Sequence, residues 1–202
     1  MKKPSRRHAM LLVGAIACAF ATPPEASAAS WGVVGTEHTL DSPDFGFSTT
    51  VPIFGAITST CLSSTLTSDV ASASVLTVTS ASFRNCTASG PNIGVCTTTT
   101  TATSSPNPDW RVTAPTTSNI QIHGVVIDIA FRDNRATVCN VEGLTTTLTG
   151  TLGGGQWNGN GANQHEVIYN DDGGFVMHTP AGTAPVTTRA TLRDTQQTLT
   201  LN

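Results

Sequence analysis

The chain has 202 residues, of which 38% are hydrophobic, 5% aromatic and only 11% charged. Setting aside Lys2, Lys3, Arg6, Arg7 and Glu25, which fall in an export signal, leaves six Arg, no Lys and twelve acids, a net charge of −6. That balance argues against nucleic acid and anionic membrane surfaces as partners, since both select basic patches.

Residues 1–28 read as the signal. A positive n-region is followed by the apolar stretch Ala9 to Phe20, too short to span a bilayer, then the helix-breaking Pro23-Pro24 and the small-residue site Ala26-Ser27-Ala28. Ser5-Arg6-Arg7 resembles the start of a twin-arginine signal, but Ala9 replaces the apolar residue usual two places after the second Arg, so general secretion is the expectation. Residues 29–202 are then one secreted domain with room for a full core. No later apolar run is long enough for membrane insertion by a helix. The scarcity of aromatics speaks against the girdles of an outer-membrane barrel.

Everything after the signal reads as strand: short runs rich in Val, Ile, Thr and Phe, separated by Gly, Pro, Asn, Asp and Ser. Phe45 to Ile53, Val75 to Thr79, Ala81 to Thr87 and Val95 to Thr101 come first, before a Pro-containing break at 104–108 and Trp110 to Thr113. Asn119 to Arg132 is the clearest strand, with Val125, Ile127, Ile129 and Phe131 on one face and Val126, Asp128 and Ala130 on the other. Leu144 to Leu152 turns Leu144, Thr146, Leu148, Gly150 and Leu152 inward and sets Thr145, Thr147, Thr149 and Thr151 in an outer row. His165 to Asn170, a hairpin turn at Asp171-Asp172-Gly173-Gly174, Phe175 to Thr179, Val186 to Leu192 and Thr198 to Leu201 complete the series. The expected fold is all-β, a two-sheet antiparallel sandwich with Greek-key connections, a closed barrel being the second choice.

Cys61, Cys86, Cys96 and Cys139 remain outside the signal, an even number that predicts two disulfides. The turn signal Ser89-Gly90-Pro91-Asn92 would set Cys86 beside Cys96, leaving Cys61 for Cys139 by elimination. Their spacings lack a C-x-x-C pair, and His38, His123, His165 and His178 are scattered, so no metal or cofactor is expected.

The Gly-Asn stretch from Gly153 to Gln164 is the best candidate site. Trp157 offers a ring for the apolar face of a sugar, and Gln156, Asn158, Asn160 and His165 offer polar groups for its hydroxyls. His165-Glu166 is adjacent on a strand and so divided between two faces. Asp171-Asp172-Gly173-Gly174 lacks the alternating oxygen spacing of a calcium loop, and no G-x-S-x-G elbow exists.

Trp31 to Leu40, Ala81 to Thr87, Ala114 to Gly124 and Leu148 to Trp157 together resemble a family of exported proteins from high-GC soil actinobacteria, for which no activity is established. The resemblance implies a secreted β-rich fold with cysteines near these positions. The Ala81-Ser82-Phe83 strand before Cys86 is also similar to one motif of PraB-type biofilm-matrix proteins, which implies an extracellular matrix role. The leading expectation is a non-enzymatic secreted or cell-surface module interacting with matrix. A carbohydrate-binding module centred on Trp157 is the alternative, and an extracellular hydrolase comes third. Cell-wall or matrix polysaccharide is the expected partner, with self-association through a Thr-rich edge also open.

Overall fold

Strands whose burial alternates with a period of two residues dominate the computed structural model, which describes residues 29–102, 110–133, 138–159 and 165–202. The expected export signal, the Pro-containing break at 104–108 and Asn160 lie outside the described residues. Among the described residues ten strands are formed: β1 (Glu37–Ser42), β2 (Phe45–Val51), β3 (Gly55–Ser72), β4 (Val75–Gly90), β5 (Gly94–Ala102), β6 (Arg111–Thr116), β7 (Asn119–Arg132), β8 (Thr145–Asn158), β9 (Glu166–Thr179) and β10 (Gly182–Asp194). All pair antiparallel. In β7 the expected alternation holds, with Val125, Ile127, Ile129 and Phe131 no more than 3% exposed. In β8, Thr146, Leu148 and Leu152 are buried, while Thr145, Thr147, Thr149 and Thr151 face outward.

The all-β antiparallel expectation holds, but the strands join one sheet instead of two. Its pairings run round a ring: β3, β2, β10, β9, β8, β7, β5, β4 and back to β3. Strands β1 and β2 lie end to end between β3 and β10, and β5 and β6 lie end to end between β4 and β7. Successive strands are ring neighbours or share one slot, so the expected Greek-key crossovers are replaced by a meander. At the β1–β2 junction, Asp44 Oδ1 accepts the Thr191 backbone N–H at 2.8 Å. A carboxylate thus takes the place of the ladder carbonyl missing where one strand stops and the next begins.

The interior is packed with Phe45 and Phe83, whose ring centroids are 5.0 Å apart, together with Trp110, Ile127, Leu152 and Phe175. They leave a void of about 20 Å³, lined entirely by apolar surface. Such a space is at the lower limit for one water and offers it no polar partner.

Three expectations are corrected by the register. The disulfides are Cys61–Cys86 and Cys96–Cys139, not Cys86–Cys96 and Cys61–Cys139. Pairing Gly90 with Gly94 puts Thr98, not Cys96, opposite Cys86 on β5, while Cys61 on β3 stands directly across from Cys86. Second, Asp171-Asp172-Gly173-Gly174 is no hairpin turn; β9 runs through it, and the turn follows at Pro180 and Ala181. Third, Thr198 to Leu201 adds no strand, though Leu201 bridges Trp31 and the backbones of Ser30 and Asn202 exchange hydrogen bonds of 2.7 and 3.0 Å.

Candidate functional site

Gln156, Trp157 and Asn158 form the end of β8 and not a loop, pairing with Ile168, Val167 and Glu166 of β9. Strand alternation therefore divides them. Trp157 turns toward the core, edge-on to buried Trp31 at 6.3 Å and to His165 at 6.2 Å between ring centroids. Glycine at 159 leaves the indole this place, because a Cβ there would press on the ring and displace it. His165 Nδ1 lies 2.7 Å from the Leu199 carbonyl, so this nitrogen carries the proton and donates. Gln156 and Asn158 stand on the other face. Gln156 is exposed, whereas Asn158 Nδ2 donates to Glu166 Oε1 at 3.0 Å.

Glu166 is buried and its second oxygen, Oε2, accepts from Arg193 Nε at 2.7 Å. Arg193 is directly opposite Glu166 on β10, and its side chain remains 63% exposed. The result is a row, Asn158–Glu166–Arg193, across β8, β9 and β10. Its carboxylate is held by a donor on each side, while the rest of the guanidinium faces solvent. The structure thus brings Trp157 to His165 and Asn158 to Glu166, and separates the indole from the two amides.

A second polar constellation has no counterpart in the sequence reading. Asp194, buried at the end of β10, accepts backbone N–H bonds from Gln196 at 3.2 Å, Thr198 at 2.8 Å and Leu199 at 2.7 Å. Its Oδ2 also faces His38 Nδ1 at 3.4 Å. His38 Nε2 lies 3.1 Å from Thr36 Oγ1, whose hydroxyl donates to the Val33 carbonyl at 2.6 Å. Asp194 and His38 are 156 positions apart, and only the closure of β10 against β1 brings them together. No local signal marks such a pair.

The remaining histidines are held by threonines: His123 Nε2 by Thr113 at 2.9 Å and His178 Nε2 by Thr149 at 2.8 Å. Thr147 donates to Asp128 at 2.7 Å, so the outward acid on β7 is part of the same hydroxyl-covered face. Among the described residues no three His, Cys, Asp or Glu side chains converge on a common point. Comparison with protein-family models, with curated proteins and with solved structures finds no match for the chain.

Proposed function

We propose that the protein is an extracellular, non-enzymatic module that holds cell-wall or matrix polysaccharide against its outer surface. One observation carries this reading: the ring of strands is filled, with an internal void of about 20 Å³. A sugar or any larger ligand has no room inside, so recognition falls to the outside. That outside is an array of hydroxyl side chains set on a rigid sheet, with few charges to select an ionic partner. The two disulfides fit an oxidising compartment, where they persist and stiffen the scaffold.

A pull-down of the disulfide-bonded protein with purified cell-wall and exopolysaccharide fractions tests the reading. Saturable retention is the expected result, and its absence from every fraction would sink the proposal.

A second reading places the contact at Trp157. Its support is the partly exposed indole at the end of β8, on the same strand end as the Asn158–Glu166–Arg193 row. Trp157→Ala run in the same pull-down separates the two. Retention lost in a variant that still melts cooperatively favours the indole; retention kept assigns binding to another part of the surface.

A further inference from the structure

The outer face of β2 and its two neighbours carries a groove that no sequence motif announces. Register fixes its plan. Arg189, Gly46 and Thr60 form one row across β10, β2 and β3, and Thr187, Ser48 and Thr58 form the next. Pro185, Thr50 and Ala56 follow one step further along. In the first two rows the middle strand contributes the smaller residues, Gly46 and Ser48, and its neighbours the rims, so the depression there follows β2. It comprises two hollows of about 270 and 370 Å³ that share Ser48, Thr58 and Thr187 and are therefore continuous. Three rows on one face of a strand span about 14 Å.

The lining says what fits. Ser48, Thr50, Thr58 and Thr60 are exposed, and their hydroxyls make no hydrogen bond to any described residue. Each offers one donor and two acceptor positions to a ligand. The Pro185 ring, the Ala56 methyl and the threonine methyls supply apolar contact beside them. At the Gly46 end, Arg189 has no acidic partner among the described residues. Asp44 lines the same end one row further along, aimed by bonds from Ser42, the Thr191 N–H and the Thr191 hydroxyl. These two are the only charged residues of the lining, and they cancel.

A row of hydroxyls with interspersed methyl groups and no net charge matches a polyhydroxylated, uncharged chain. A polyanion would meet one Arg and a domain of net charge −6. An added peptide strand has no use for this face, because the backbone bonds of β2 are already taken on both sides. We infer that this groove binds an extended neutral polysaccharide, with Ser48, Thr58 and Thr187 at its centre and Arg189 and Asp44 fixing one end. The inference rests on the surface-binding reading above and gives it a site and a ligand class.

Native affinity electrophoresis tests it, using gels that contain dextran, hydroxyethyl cellulose or polygalacturonate. Wild type should be retarded by at least one of the two neutral polymers. Ser48→Trp and Thr58→Trp fill the groove from the exposed face and should each weaken that retardation about tenfold, a loss of about 1.4 kcal/mol. Arg189→Ala, at an exposed position with no acidic partner among the described residues, should weaken it without touching the fold. Val33→Ala, at an exposed position outside the groove, should leave it unchanged. Retardation that survives all three groove substitutions, or that occurs with polygalacturonate alone, overturns the site or the ligand class. No retardation by either neutral polymer, with cell-wall retention intact, overturns the groove and spares the surface-binding reading. Loss of both overturns both.

Discussion

Asp194 shows how much one carboxylate can organise. Three backbone N–H groups of the segment after β10 end on its two oxygens, and Leu199, which donates one of them, is itself buried. Asp194→Ala would leave those donors without acceptors where water reaches poorly. Each buried unsatisfied donor costs about 1–3 kcal/mol, and partial rescue by water brings the expected total to about 3 kcal/mol. For a domain of this size that is a fall in Tm of about 6–12 °C. Calorimetry measures it, and amide exchange should show Thr198 and Leu199 losing protection first. Asp194→Asn keeps one acceptor oxygen but turns an NH₂ toward backbone donors, so it should fall between the two. An unchanged Tm in Asp194→Ala would mean that the tail is held by Leu199 and Leu201 packing alone. None of this is legible in sequence, where Asp194 is one more polar residue in a run of Thr and Gln.

The glycines of β8 and β9 belong to the scale of the element. The ladder between these strands breaks between Gly150–Phe175 and Gln156–Ile168, which lets the sheet turn a corner. Gly150 and Gly174 sit inside the bend at φ 142° and 121°. A Cβ on Gly150 would meet the Gly174 carbonyl oxygen at 2.2 Å, whereas one on Gly153 would meet nothing within 4 Å. Gly150→Ala should therefore cost at least about 2 kcal/mol through strain and backbone contact, and Gly153→Ala close to nothing. Urea midpoints for the two variants check this, and equal midpoints would remove the bend's steric basis.

The same bend explains one failure of the sequence reading. Asp-Asp-Gly-Gly has the composition of a turn, yet here it is a kink within a strand that continues on both sides. Strand β7 was legible because Val, Ile and Phe alternate with polar residues. Strand β3, the longest, was not: Ser59, Ser64 and Ser68 are buried on its inner face, so hydroxyl residues occupy both faces and erase the alternation. The groove over Gly46 was hidden for a related reason, since its rows exist only once β10, distant in sequence, lies in register against the β2–β3 hairpin.

Closure of the ring decides how the disulfides act on the whole molecule. Cys61–Cys86 joins neighbours already paired in the β3–β4 hairpin, and Cys96–Cys139 ties β5 to the segment that follows β7. The loops they close span 25 and 43 positions. Chain entropy converts these into about 3.5 and about 4 kcal/mol of destabilisation of the unfolded state, so loop length barely distinguishes the two. What distinguishes them is support in the folded state. The strands around Cys61 and Cys86 are paired along most of their length, whereas Cys139 meets Gly94 through an isolated bridge and its neighbours Val138 and Asn140 bond to Val95 and Ile93. Cys61→Ala/Cys86→Ala should lower global stability by about 3–4 kcal/mol while leaving local order unchanged. Cys96→Ala/Cys139→Ala should lower it by a similar amount and also expose the amides of Val95 and Asn140 to exchange below the unfolding transition. Non-reducing peptide mapping supplies the prior check: the linked peptides must contain Cys61 with Cys86 and Cys96 with Cys139. A Cys86–Cys96 peptide would require β4 and β5 to slip by two residues. That slip would carry Ala88 and Cys86 past their partners and dismantle the register on which this side of the ring closes.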